Sequence, residues 1–177
     1  MNNFLRKINL IEDIQFELQT SKTDFIRKFK QNVENSDLGF NFFEGFEAFS
    51  SNKQEYKGYI NDRKFEIQKR RKLFEPNQTF AIARGTFNEM NDKLNFKIEI
   101  NAFRKIMFLF LGFILVFYGG FLSFFIFGDA ETPFFILPFL LVHSLLMIGI
   151  PYFLMRRSVK KMQYDLERDF HYWLVRS

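Results

Sequence analysis

Only two histidines, His143 and His171, offer imidazole chemistry in this 177-residue chain, and one of them sits in an unusual place. His143 lies beside Ser144 at the midpoint of a run from Pro133 to Met155 that holds no Asp, Glu, Lys or Arg. A titratable ring at that depth of an apolar helix is a candidate proton relay or ligand contact. The plainer reading is a structural hydrogen bond. In a hairpin whose ends meet at Phe127 and Pro133, position 143 lies level with position 117, which brings Tyr118 within reach.

A second constellation is cationic. Lys69, Arg70, Arg71 and Lys72 are consecutive, and Arg156, Arg157, Lys160 and Lys161 follow the second apolar run. Such clusters suit phosphate, and beside a bilayer the phosphate is that of lipid headgroups rather than nucleic acid. The plainer reading of Lys69 to Lys72 is a solvated strand end, whose alternation sends two cations to each face. Other chemistry is missing. The chain has no cysteine, phosphate loop, Gly-rich dinucleotide turn or nucleophile elbow, and Glu44, Glu47 and Glu55 read as scattered, solvated carboxylates. No catalytic, metal or cofactor site is expected, and the protein is read as a non-enzyme.

The elements that must position these residues divide into three stretches. Residues 105–155 form a hairpin of two apolar helices, 106–127 and 133–155, each about 33 to 35 Å long and so sufficient for a hydrocarbon core of roughly 30 Å. Gly128 would close the first helix, and Thr132 followed by Pro133 would open the second. Gly112, Gly119 and Ser123 give the first helix a partly small-residue face that would allow close approach. Arg104 and Lys105 precede the hairpin and four cations follow it, whereas the link carries only Asp129 and Glu131. Both termini are therefore expected in the cytoplasm. Met1 to Ile11 lacks the features of a secretory signal, so the first apolar run would serve as its own insertion signal.

Residues 1–104 read as a cytoplasmic α+β domain, an antiparallel β-meander with one covering helix. Ile14, Phe16 and Leu18 alternate as a half-buried strand, while Met1 to Ile11 is ambiguous. Ser21 and Asp24 resemble a capping box opening a helix that runs to about Asn35, with Phe25, Ile26, Phe29 and Val33 on one face. Strands are expected within 40–49, in a hairpin around Asn61 and Asp62, in Thr79 to Asn88 after a turn at Pro76 and Asn77, and in Leu94 to Asn101. There Leu94, Phe96, Ile98 and Ile100 point inward. Residues 156–177 continue as a cytoplasmic amphipathic helix with Val159, Met162, Leu166, Phe170 and Trp173 on its apolar side, docked on the sheet. The 28 phenylalanines fill both the hairpin and the core, and the net charge of +5 suits a neighbour of anionic lipid.

In outline, with Phe65-Glu66-Ile67-Gln68-Lys69-Arg70-Arg71 and Arg84-Gly85-Thr86-Phe87 ahead of a hairpin, the chain resembles small two-helix inner-membrane proteins of Bacteroidetes-type bacteria. The resemblance implies an inner-membrane protein and transfers no site residue. A second similarity, to bacterial pleckstrin-homology-type domains that accompany two membrane helices, departs in placing the sheet before the hairpin, so lipid binding is not carried over. The expectation is a membrane accessory or scaffold subunit with a protein partner, in contact with lipid and without nucleic acid. The alternatives are a small oligomeric transport or ion-pathway protein using His143, and a lipid-sensing regulatory domain using residues 69–72.

Overall fold

The structure is a computed structural model, and it describes residues 1–38, 54–70, 79–91, 93–127 and 135–175. The strand expected within 40–49, the turn at Pro76, and the link with Gly128, Asp129, Glu131, Thr132 and Pro133 lie outside them. The chain divides into two compact units, residues 1–103 with 155–177, and residues 104–154. The C-terminal stretch from Met155 belongs to the same unit as the sheet.

The first unit is α+β. It comprises α1 (Asn2–Lys7), β1 (Ile11–Leu18), α2 (Lys22–Asn32), β2 (Val33–Asn35), β3 (Tyr56–Ile60), β4 (Lys64–Lys69), β5 (Ile82–Met90) and β6 (Lys93–Asn101). The strands form one six-stranded sheet in the order β1-β6-β5-β4-β3-β2. It is mixed, which corrects the expected meander. From β3 to β6 each strand is antiparallel to the next, but β2 runs parallel to β3, and β1 closes on β6. The β1–β6 register matches Ile14 with Ile98 and Phe16 with Phe96. A slip of one residue would turn either set out of the core, so the apolar alternation itself fixes this non-local pairing.

Local chemistry explains the element ends. Ser21 Oγ accepts from Asp24 N at 3.2 Å and donates to the Asp24 carboxylate at 2.9 Å, as the capping pattern requires. The helix stops at Asn32, earlier than its periodicity suggested, because the β-branched Val33 adopts extended backbone and pairs with Tyr56. Asn91, at φ 54°, supplies the left-handed residue between β5 and β6. Gly85 is required for packing: a Cβ there would lie 2.4 Å from the Phe65 ring.

One face of the sheet is covered by two helices rather than one. Phe25 and Phe29 of α2 and the last part of α4 (Ile136–Val175) meet over Phe65, Phe87 and Phe96. Phe25 lies 4.9 Å from Phe96 and 5.3 Å from Phe170, and Phe170 lies 5.6 Å from Phe65, distances suited to edge-to-face packing. Val159, Met162, Leu166 and Phe170 are fully buried. Each such side chain contributes about 1.5 to 3 kcal/mol.

The second unit holds α3 (Ile106–Phe127) and the first half of α4. Both helices are long and apolar enough to cross a membrane. The less exposed side chains of α3 are Met107, Phe110, Ile114, Tyr118 and Phe125, and those of α4 include Ile136, Leu140, His143 and Met147. Both sets follow helical spacing of three and four, so each helix turns one stripe toward the other. Gly112 and Gly119 do not belong to that stripe. Nothing lies within 4 Å of where their Cβ atoms would be. The expected close approach through these glycines is not made.

Candidate functional site

Within the hairpin the paired groups are placed by register. Tyr118 and His143 fall on the facing stripes of α3 and α4, and Tyr118 Oη lies 2.5 Å from His143 Nδ1. The Phe139 ring stacks on the imidazole at 5.9 Å and 13°. The phenol can donate to a neutral Nδ1 or accept from a protonated one, so the pair tolerates either tautomer. The Ser144 hydroxyl is satisfied by its own helix, donating to Leu141 O at 2.8 Å. A groove of about 700 Å³ runs beside the pair between Tyr118, Leu122, Leu137 and Leu141. It is apolar, and only the two hydroxyls of Tyr118 and Ser144 mark it.

The basic run is used differently from expectation. Alternation along β4 sends Lys69 to the helix-covered face and Arg70 to the other. Lys69 Nζ lies 2.9 Å from Asp165 of α4, and the Arg70 guanidinium pairs with Glu34 of β2. Both side chains are only 12% exposed, so they bind the fold together rather than face a headgroup. Arg71 and Lys72 lie outside the described residues. Of the second cluster, Arg157 and Lys160 are exposed, Arg156 is half-buried, and Lys161 approaches Asp165 at 3.7 Å.

The largest polar constellation was missed by sequence reasoning. Asp165 is buried with Lys69, Lys161 and Arg168 around it, the last at 3.6 Å. One turn on, Asp169 accepts from the Tyr56 hydroxyl at 2.6 Å and from Arg168 at 2.7 Å. Burial, and after it the Asp169 carboxylate, raises the Tyr56 phenol well above its ordinary value. The Arg168 guanidinium is likewise held above its usual range, first by its bond to Asp169. Two turns before Asp165, the buried Ser158 Oγ accepts from the backbone N–H of Phe80 at 2.6 Å and of Ala81 at 2.9 Å, while Thr79 Oγ1 donates to the Ser158 carbonyl at 3.2 Å. One signal was available. Ser158, Asp165 and Asp169 interrupt the apolar face of the amphipathic helix, where polar residues survive only with partners.

These groups make a clamp. Each carboxylate in it has a cation or a hydroxyl as partner. On the opposite face of the sheet, a shallow depression of about 600 Å³ holds balanced charges. Arg84 pairs with Glu66 at 2.7 Å, and Arg6 bridges Asp13 and Glu99. Among the described residues no group of three His, Asp or Glu side chains could hold a metal. Comparison with protein-family models, with curated proteins and with solved structures gave no match.

Proposed function

We propose that this is an integral membrane protein of the bacterial inner membrane, a non-enzymatic accessory or scaffold subunit that holds an α+β domain at the cytoplasmic surface with both termini inside. The observation that carries the reading is the continuity of α4. Its apolar half and the half whose Val159, Met162, Leu166 and Phe170 complete the domain core belong to one helical stretch of 40 residues, with Pro151 inside it. On the other side of the hairpin, β6 ends at Asn101 and α3 begins at Ile106. Few residues of the sequence thus separate the domain from either apolar stretch. Supporting it, the apolar windows of α3 and α4 are 6% and 0% buried, the opposite of core helices in a soluble protein.

Arg104, Lys105, Arg156, Arg157 and Lys160 suit a cytoplasmic headgroup layer. The resemblance to two-helix inner-membrane proteins agrees with this reading. A purification in gentle detergent followed by mass spectrometry tests it. A larger membrane complex recovered in constant ratio is the expected result, and a chain washed from membranes by alkaline carbonate would contradict it.

A further inference from the structure

We infer that the exposed apolar side of α1 is a lipid contact, seated at the headgroup boundary of the anchoring bilayer; this rests on the membrane-anchor reading above. The place of α1 follows from hydrogen bonds inside the α+β unit. Asn9, at φ 58°, turns the chain so that Leu10 N bonds Leu5 O at 2.9 Å, and both leucines are buried. Leu10 O in turn accepts from Ala102 N at 3.1 Å. Ala102 stands four residues before α3, a reach of at most about 14 Å. The other link leaves from the same end of the sheet. Ile82 pairs with Asn101, and its neighbour Ala81 donates to Ser158, just inside the unit that resumes at Met155. Both covalent links to the apolar unit thus depart from the end of the sheet where α1 sits.

Arg6 sets which way α1 faces. Its guanidinium is held by Asp13 at 2.7 Å and by Glu99 at 2.6 Å, both further along the sheet from that end. Phe4, two positions earlier, lies about 200° round the helix and so turns the other way, past the end of the sheet. Met1 and Ile8 share its side at spacings of three and four. Phe4 is 63% exposed, Met1 is exposed, and Ile8 is half-buried. Among the described residues of this unit, the other exposed large apolar side chains are tyrosines and Met90, and Met90 lies at the opposite end of the sheet. An apolar side flanked by a cation suits the boundary between headgroups and acyl chains, and Lys7 is exposed next to it. Lipid is the occupant because this is the end tethered within a few residues to both apolar stretches.

The chain has no cysteine, so single cysteines carry a nitrobenzoxadiazole reporter cleanly. Phe4 is exposed, so replacing it leaves the core intact. The full chain is placed in vesicles of phosphatidylethanolamine and phosphatidylglycerol in which some lipids bear a nitroxide high on the acyl chain. Phe4→Cys should be quenched severalfold more than Asn2→Cys, on the opposite side of α1, and more than Met90→Cys. Leu141→Cys reports the hairpin separately, through lipids with the nitroxide near the acyl terminus. Quenching at 141, with position 4 quenched no more than positions 2 and 90, overturns the α1 contact alone. Quenching at neither 4 nor 141 overturns the anchor reading and this inference together.

Discussion

The two halves of α4, which meet near Pro151, obey different rules. From Met155 onward the helix is amphipathic, and its apolar stripe is buried under protein, with Ser158, Asp165 and Asp169 admitted to that stripe only because each has partners. Between Ile136 and Leu154 the helix is apolar on every side, and its large side chains stay exposed, Phe139 at 64%. One half has a preferred face because its surroundings are protein on one side and water on the other. The other half has almost none because a single apolar medium can surround it. On the proposed membrane anchor, solvent rather than helix propensity separates the two.

Substitutions should therefore cost very different amounts in the two halves. Phe170→Ala removes a ring in contact with Phe16, Phe25, Phe65 and Phe96 and should destabilise the domain by about 3 to 5 kcal/mol. Phe139→Ala should change the same unfolding transition by less than about 0.5 kcal/mol. Near-ultraviolet circular dichroism in detergent, followed against denaturant, reads both. Similar losses would erase the contrast.

Serines make the same comparison on a smaller scale. Ser158→Ala removes the hydroxyl that accepts from the backbone N–H groups of Phe80 and the buried Ala81, at a cost of about 1 to 3 kcal/mol. Ser144→Ala removes only a bond to its own helix and should be close to neutral in the same assay.

Alkaline titration sharpens the picture of the clamp. The Tyr56 phenol is raised in the folded domain, so folding favours its protonated form. That contribution is complete below the unfolded value of about 10 and is lost as pH climbs above it. Melting temperature should fall above pH 10, and the fall should be shallower in Tyr56→Phe. Identical slopes would show that Tyr56 leaves the core before it ionises.

Smaller effects belong to the hairpin and the open sheet face. His143→Phe and Tyr118→Phe should each loosen the hairpin by about 0.6 to 2 kcal/mol, and the double change by no more than either, since one bond is lost once. Additive losses in a thermal melt would reject the pair. Glu99→Lys should cost under about 1 kcal/mol, because Arg6 keeps Asp13 when Glu99 is gone.

Much of this was legible from residue order. The charge-free runs, the inward set Leu94, Phe96, Ile98 and Ile100, the Ser21 cap, and the amphipathic docking helix all follow from period and end chemistry. What escaped was long-range. Nothing near Val33 announces a parallel partner at Tyr56, and nothing near Ile14 announces Ile98. Lys69 and Arg70 look like a solvated cluster until Asp165 and Glu34, distant in sequence, arrive beside them. Glu99 reads as a free surface carboxylate until α1 delivers Arg6. Pattern within an element shows which side is buried, and it is silent on which element does the burying.

The central claim, which rests on the proposed membrane anchor, is that one half of α4 lies in an apolar medium and the other half in a protein core. It is tested most directly by single cysteines placed one at a time along residues 137–172 in membranes that hold the chain, probed with an impermeant maleimide from the side that carries the α+β domain. The account predicts no labelling on any face from 137 to 153. Beyond Met155 it predicts labelling at exposed positions such as Lys160, Tyr164, Glu167 and His171, with Met162, Leu166 and Phe170 protected. A period of three to four residues continuing through 137–153 would mean that one side of that segment faces water, and would contradict the account.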